Sequence, residues 1–141
     1  MRPLLIIIAV STSILSPGCS SAKATTPDPS NPAQCIAAFE YGHEMLRQRG
    51  PVAYMAALSM TGRQLYYTQK LKADGVADGG AAEAMAFAKA HQGDATVLHD
   101  MLVKCIDVQQ QEPNVSQAIA RLTPLIVKVD PICKENPSVC Q

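Results

Sequence analysis

The sequence predicts an all-α fold, an up-and-down bundle of four to five short helices stapled by two disulfides. Three observations lead there. Helix start and stop signals alternate along the chain, apolar residues between them recur at helical spacing, and an even set of cysteines remains once the first segment is set aside.

The first residues, "MRPLLIIIAVSTSIL", carry one basic residue, Arg2, and an apolar run from Leu4 to Val10 that fades by Leu15. This is the pattern of an export signal, and it is shorter than the ~20 apolar residues a membrane span needs. Gly18-Cys19 resembles the end of a bacterial lipoprotein signal, and the Ser/Thr/Pro-rich stretch after it has the composition of a tether. Ala22-Lys23-Ala24 offers a second, ordinary cut that would release the chain. The tether composition favours a lipid on Cys19, hence a protein anchored on the periplasmic side of the envelope rather than soluble there. The resulting division is an export signal over residues 1–18, a tether over 19–33 and a single helical domain over 34–141 with a disulfide-closed tail.

The elements follow in order. Asn31 is placed to cap a first helix, and Pro32 occupies its first position, where the missing N–H costs nothing. This helix should run to about Gln48, with Cys35, Ile36, Phe39, Gly42 and Leu46 on one side, and Gly50-Pro51 ends it. The second, "PVAYMAALSMTGRQLYYTQKLKA", places Met55, Leu58, Gly62, Leu65, Tyr66 and Gln69 in a stripe and Arg63 and Lys70 away from it. "DGVADGG" reads as a loop. An alanine-rich third helix begins near Ala81, and Gln92-Gly93-Asp94 separates it from a fourth over Ala95 to Gln110, burying Val97, Leu98, Met101, Cys105 and Val108. A last helix, capped by Asn114, carries Ile119 and Leu122, and Pro124 should break or kink it. "LIVKV" either continues it or forms a short extended piece.

Either cut leaves Cys35, Cys105, Cys133 and Cys140, an even set that in an exported chain reads as two disulfides. Three reversals bring the start of the first helix and the end of the Cys105 helix to one end of an up-and-down bundle. That order pairs Cys35 with Cys105, and leaves Cys133 to close on Cys140 around "KENPSV". A four-thiolate zinc site would need a C-x-x-C pair, which the chain lacks. The segments "QCIAAFEYGHEML", "GRQLYYTQKL" and "LVKCIDV" resemble small exported helical proteins of Gram-negative bacteria, most of them uncharacterised. The resemblance implies the fold and the address and no activity.

Several function classes are disfavoured. Of 12 basic and 12 acidic residues, Arg2 and Lys23 precede Thr25, so the remainder is net −2, without the basic excess a nucleic-acid binder shows. Glu40-Tyr41-Gly42-His43 has the E-x-x-H spacing of di-iron bundles, but no second copy exists, and a solvated face pairing Glu44 with Arg47 explains it better. Arg47 also stands where a zincin motif needs its second His. His91 falls near a helix C-terminus and His99 beside an apolar stripe, neither at ligand spacing. Met45, Met55, Met60, Met85 and Met101 are adaptable core fillers, although sulfur also binds soft copper. No G-x-S-x-G occurs, and the absence of Trp removes the usual stacking platforms.

The expectation is therefore a non-catalytic periplasmic binding or assembly module, without cofactor or metal, held to the membrane through a lipid on Cys19 and meeting a protein partner of the envelope. Tyr54, Tyr66, Tyr67 and Gln69 are the expected interface, because large amphipathic side chains anchor interfaces. The alternative is a small-ligand or metal carrier using Met and His side chains between helices.

Overall fold

The computed structural model describes residues 25–141. Cys19, the export signal expected over 1–18 and both cut sites lie outside those residues. The elements are α1 (Pro32–Arg47), a 3-10 turn (Pro51–Ala53), α2 (Tyr54–Ala73), α3 (Ala81–Ala90), α4 (Ala95–Gln110), α5 (Val115–Val129), α6 (Pro131–Glu135) and a closing 3-10 turn (Pro137–Cys140). Among the described residues there is no strand, and the disulfides are Cys35–Cys105 and Cys133–Cys140, with Cα separations of 5.5 and 5.6 Å.

The caps explain most boundaries. Asn31 Oδ1 accepts from the N–H groups of Ala33 and Gln34, and Pro32 holds the first position of α1. Gly93 adopts φ +85° between α3 and α4, and Asp94 accepts from the Val97 N–H. Asn114 behaves differently: it sits before α5 in the left-handed region at φ 64° and makes no side-chain cap bond. It serves as a turn residue, which its short polar side chain tolerates.

Pro124 does not break the last helix, which continues to Val129. Pro124 is exposed, and Ala120, whose carbonyl loses its helical donor, is exposed as well, so water can satisfy that carbonyl. Thr123 adds a bond from its hydroxyl to the Ile119 carbonyl at 2.9 Å.

α1 and α2 form an antiparallel hairpin at the centre, with α3 and α4 packed on α1 and α5 packed on α2. Two cores result. The larger holds Cys35, Ala38, Phe39, Tyr67, Phe87, Met101, Leu102 and Cys105, with Phe39 and Tyr67 rings stacked at 6.1 Å. The smaller gathers Tyr54, Leu58, Ile126 and Cys133 under the tail.

Because α2 is covered on two sides, its buried set is Tyr54, Ala57, Leu58, Gly62 and Tyr67. The stripe expected from spacing is rotated: Leu65 and Gln69 are exposed, and Met55 and Tyr66 are half-buried. Gly62 does mark a close approach, since a Cβ there would meet the Ile119 side chain at 3.2 Å. Gly42 of α1 is tighter still, with Leu102 methyls at 2.9 Å. On α4, Val97, Leu98 and Val108 are half-buried, while Leu102 and Gln109 take inward positions beside Met101 and Cys105.

Candidate functional site

The tyrosines of α2 do not form one surface. Tyr67 is 1% exposed in the larger core and Tyr54 5% exposed in the smaller, so neither is available to a partner in this state. Tyr54 donates to the Asp130 carboxylate at 2.9 and 3.0 Å. Burial first, and then that carboxylate, push its hydroxyl up to about 12. Tyr66 is half-buried and donates to Glu112 at 2.8 Å, and its hydroxyl is likewise pushed up to about 12, by burial and then by Glu112. Gln69 alone is exposed.

These side chains belong to a polar seam between α2 and the end of α4. Lys70 Nζ meets the same Glu112 oxygen at 2.8 Å. Burial raises the Glu112 carboxyl, but the hydrogen bonds from Lys70 and Tyr66 outweigh it and hold the group below its ordinary value. Arg63, expected to point outward, is partly buried here. It donates from Nη1 to Gln109 Oε1 at 2.8 Å and receives Gln109 Nε2 on its own carbonyl at 3.2 Å. Its Nε is buried without a partner, and burial lowers its affinity for the proton. Gln109 is wholly buried, so the seam is a structural lock between helices.

The E-x-x-H pair is divided between two contacts with α2. Glu40 accepts from Gln64 at 2.7 Å, and His43 Nδ1 shares a hydrogen with Thr61 Oγ1 at 3.1 Å. Glu44 pairs with Arg47 through two bonds of 2.8 Å, which with Gln48 lower its carboxyl to about 2. The His91 ring meets Phe87 at a tilt of 48° with centroids 4.6 Å apart, and His99 lies on α4 beside Asp100, so the three histidines occupy three separate settings. Among the described residues no three His, Cys, Asp or Glu side chains gather as metal ligands would. Met101 is buried and Met60 packs beside Gly42, as core fillers do, whereas Met85 is 67% exposed.

Met85 leads to an open groove of about 630 Å³ bounded by α1, α2, α3 and the start of α4. Its floor is built by small residues of α3, Ala81, Ala84 and Ala88, which recur at helical spacing and leave empty the volume that larger side chains would fill. Ile36, Tyr41, Leu65, Met85 and Leu98 form its apolar walls, and Glu40 and Glu44 are the charged groups of its lining. Since Glu44 is engaged by Arg47, Glu40 is the carboxylate left facing the groove with only an amide partner. Tyr41 also walls a second, more open recess with Ala95, Thr96, His99, Asp100 and Val103.

The groove was not legible from any one helix, because four elements contribute to it. Its local signal is Met85, a second large apolar residue beside the buried Phe87 in a helix otherwise made of alanine, Glu83 and Lys89. Comparison of the chain with protein-family models, with curated proteins and with solved structures gives no match.

Proposed function

We propose that this chain is a non-catalytic binding or assembly module of the cell envelope, exported and held to the membrane through a lipid on Cys19. Its contact surface is the groove between α1, α2 and α3. The supporting observation is the combination of an open apolar trough with a charged lining that is acidic only. Such a surface suits an amphipathic helix of a partner protein that inserts apolar side chains and presents a Lys or Arg to Glu40, the helix-in-groove mode of recognition. Two disulfides suit an oxidising compartment, and Cys35–Cys105 cross-links the core beneath the trough before any partner arrives.

A titration followed by NMR tests the groove, with two synthetic helical peptides as probes, one of Leu and Lys and one of Leu and Glu. The Leu/Lys peptide should shift resonances of Leu65, Met85 and Leu98, the Leu/Glu peptide should not, and Leu65→Asp with Met85→Asp should abolish the shifts. Equal response to both peptides, or shifts confined elsewhere, would contradict the proposal. Intact mass of the protein extracted from its native membrane fraction tests the address. A diacylglyceryl mass on Cys19 supports it, and a chain beginning at Thr25 refutes the anchor.

A further inference from the structure

Residues 25–31, expected to belong to a tether, are bound to the body as a strap. The Gln34 side chain, 1% exposed, is its main fastening: Oε1 accepts from the Asp28 N–H at 2.8 Å and Nε2 donates to the Thr26 carbonyl at 3.0 Å. His91 Nε2 donates to the Thr25 carbonyl at 2.6 Å, and Asn31 Nδ2 donates to Glu83 Oε1 at 2.6 Å, so the strap is fixed to α3 as well as to α1. Asp28 also closes a turn with Ser30, accepting from its N–H at 2.9 Å and from its hydroxyl at 2.6 Å. Nothing in the composition of "TTPDPSN" announces this, because the partner is a glutamine hidden in a run of buried small residues.

The strap changes the length of the tether. Between a lipid on Cys19 and the first fastened residue, Thr25, stand Ser20, Ser21, Ala22, Lys23 and Ala24. Six Cα-to-Cα steps reach at most ~21 Å when fully extended. A tether running to the start of α1 would reach about twice as far. The exit point is also defined, at His91 and the first turn of α1, while the α1–α2 turn lies beyond the far end of a helix about 24 Å long.

We propose that the strap makes a short leash, so that the surface carrying His91 and the start of α1 faces the membrane and the α1–α2 turn is directed away from it. The occupant of that surface is the lipid bilayer to which Cys19 is joined, and the inference rests on the anchored reading above. A consequence is that a partner reaching the groove approaches within one protein diameter of the membrane.

Fluorescence transfer to a headgroup-labelled lipid tests the leash, using lipidated full-length protein in phosphatidylethanolamine/phosphatidylglycerol vesicles. Donors are placed one at a time through Gln92→Cys, next to the exit, and Val52→Cys, in the exposed turn at the far end. Transfer from position 92 should exceed that from position 52 by about twofold, as expected for a leash shorter than the body it holds. Inserting twelve Gly/Ser residues after Ala24 leaves the folded body untouched and should erase the difference, and Gln34→Ala, which removes the side-chain bonds to Thr26 and Asp28, should reduce it. Equal transfer from the two positions, with the lipid mass present on Cys19, would overturn the leash while leaving the anchor intact. An absent lipid mass would overturn the anchor itself, and the leash with it.

Discussion

The two cores differ in how they are closed, and the difference separates stability from shape. The larger is cross-linked by Cys35–Cys105 across 70 residues and brings together four helices, and the whole groove lies upon it. The smaller, under α5 and the tail, is closed by Cys133–Cys140 across 7 residues and relies on one hydroxyl–carboxylate contact, Tyr54 to Asp130. α5 leaves Leu125 and Val129 more than half exposed, so it offers little of its surface to the fold. The lesson is that a chain can devote its strongest restraint to the part that must keep a fixed surface and leave the remainder loosely attached.

Removing each restraint in turn should break that comparison in order of size. Cys35→Ala with Cys105→Ala should cost about 4 kcal/mol, from the loop entropy returned to the unfolded chain, read as a fall in the denaturation midpoint. Cys133→Ala with Cys140→Ala should cost about 2 kcal/mol by the same relation. It should leave the peptide response of Leu65 and Met85 intact, because the groove does not use that core. If the second pair cost as much as the first, the two-core division would be wrong.

Tyr54→Phe should cost about 1.5 kcal/mol at neutral pH, since a half-buried carboxylate loses its hydroxyl donor. The sign of its pH dependence follows from the raised hydroxyl. Ionisation is disfavoured in the folded state, so the contribution is complete below the unfolded value of about 10 and is lost as pH rises through about 12. Wild-type stability should therefore fall between pH 10 and 12, and Tyr54→Phe should reduce that fall while the Tyr66 share remains. The smallest contrast is between two glycines. Gly42→Ala should destabilise by about 1 kcal/mol, as Leu102 is buried and cannot retreat from a Cβ at 2.9 Å. At Gly62 the facing Ile119 is half-buried on the looser α5 at 3.2 Å, and the gain in helix propensity should nearly cancel the crowding.

What the sequence made legible was local or cumulative. The caps at Asn31 and Asp94, the loop over residues 74–80 and the pairing of all four structural cysteines follow from residue chemistry and helix order. The buried face of α2 departs from the expected stripe because helical spacing locates one such stripe, whereas α2 is covered by α1 on one side and by α5 on another. Pro124 breaks a helix where the lost bond is buried, but here its turn faces water, where that bond costs least. The four residues expected at an interface do not share one surface for a related reason: Tyr54 and Tyr67 are large enough to be the anchors of two cores, and residue type does not distinguish an anchor of the core from an anchor of an interface. Gln34 and the groove depend on contacts between segments far apart in the chain, which no local pattern encodes.

Native-state hydrogen exchange in increasing urea measures the central claim directly, since it gives an opening free energy for each helix separately. Amides of α1 and α4 should exchange only through the highest, global opening, and those of α5 and α6 through a lower one that leaves the protection of α1 and α4 unchanged. A single opening free energy shared by all six helices would contradict the account, because the groove-bearing body and the tail would then be one cooperative unit.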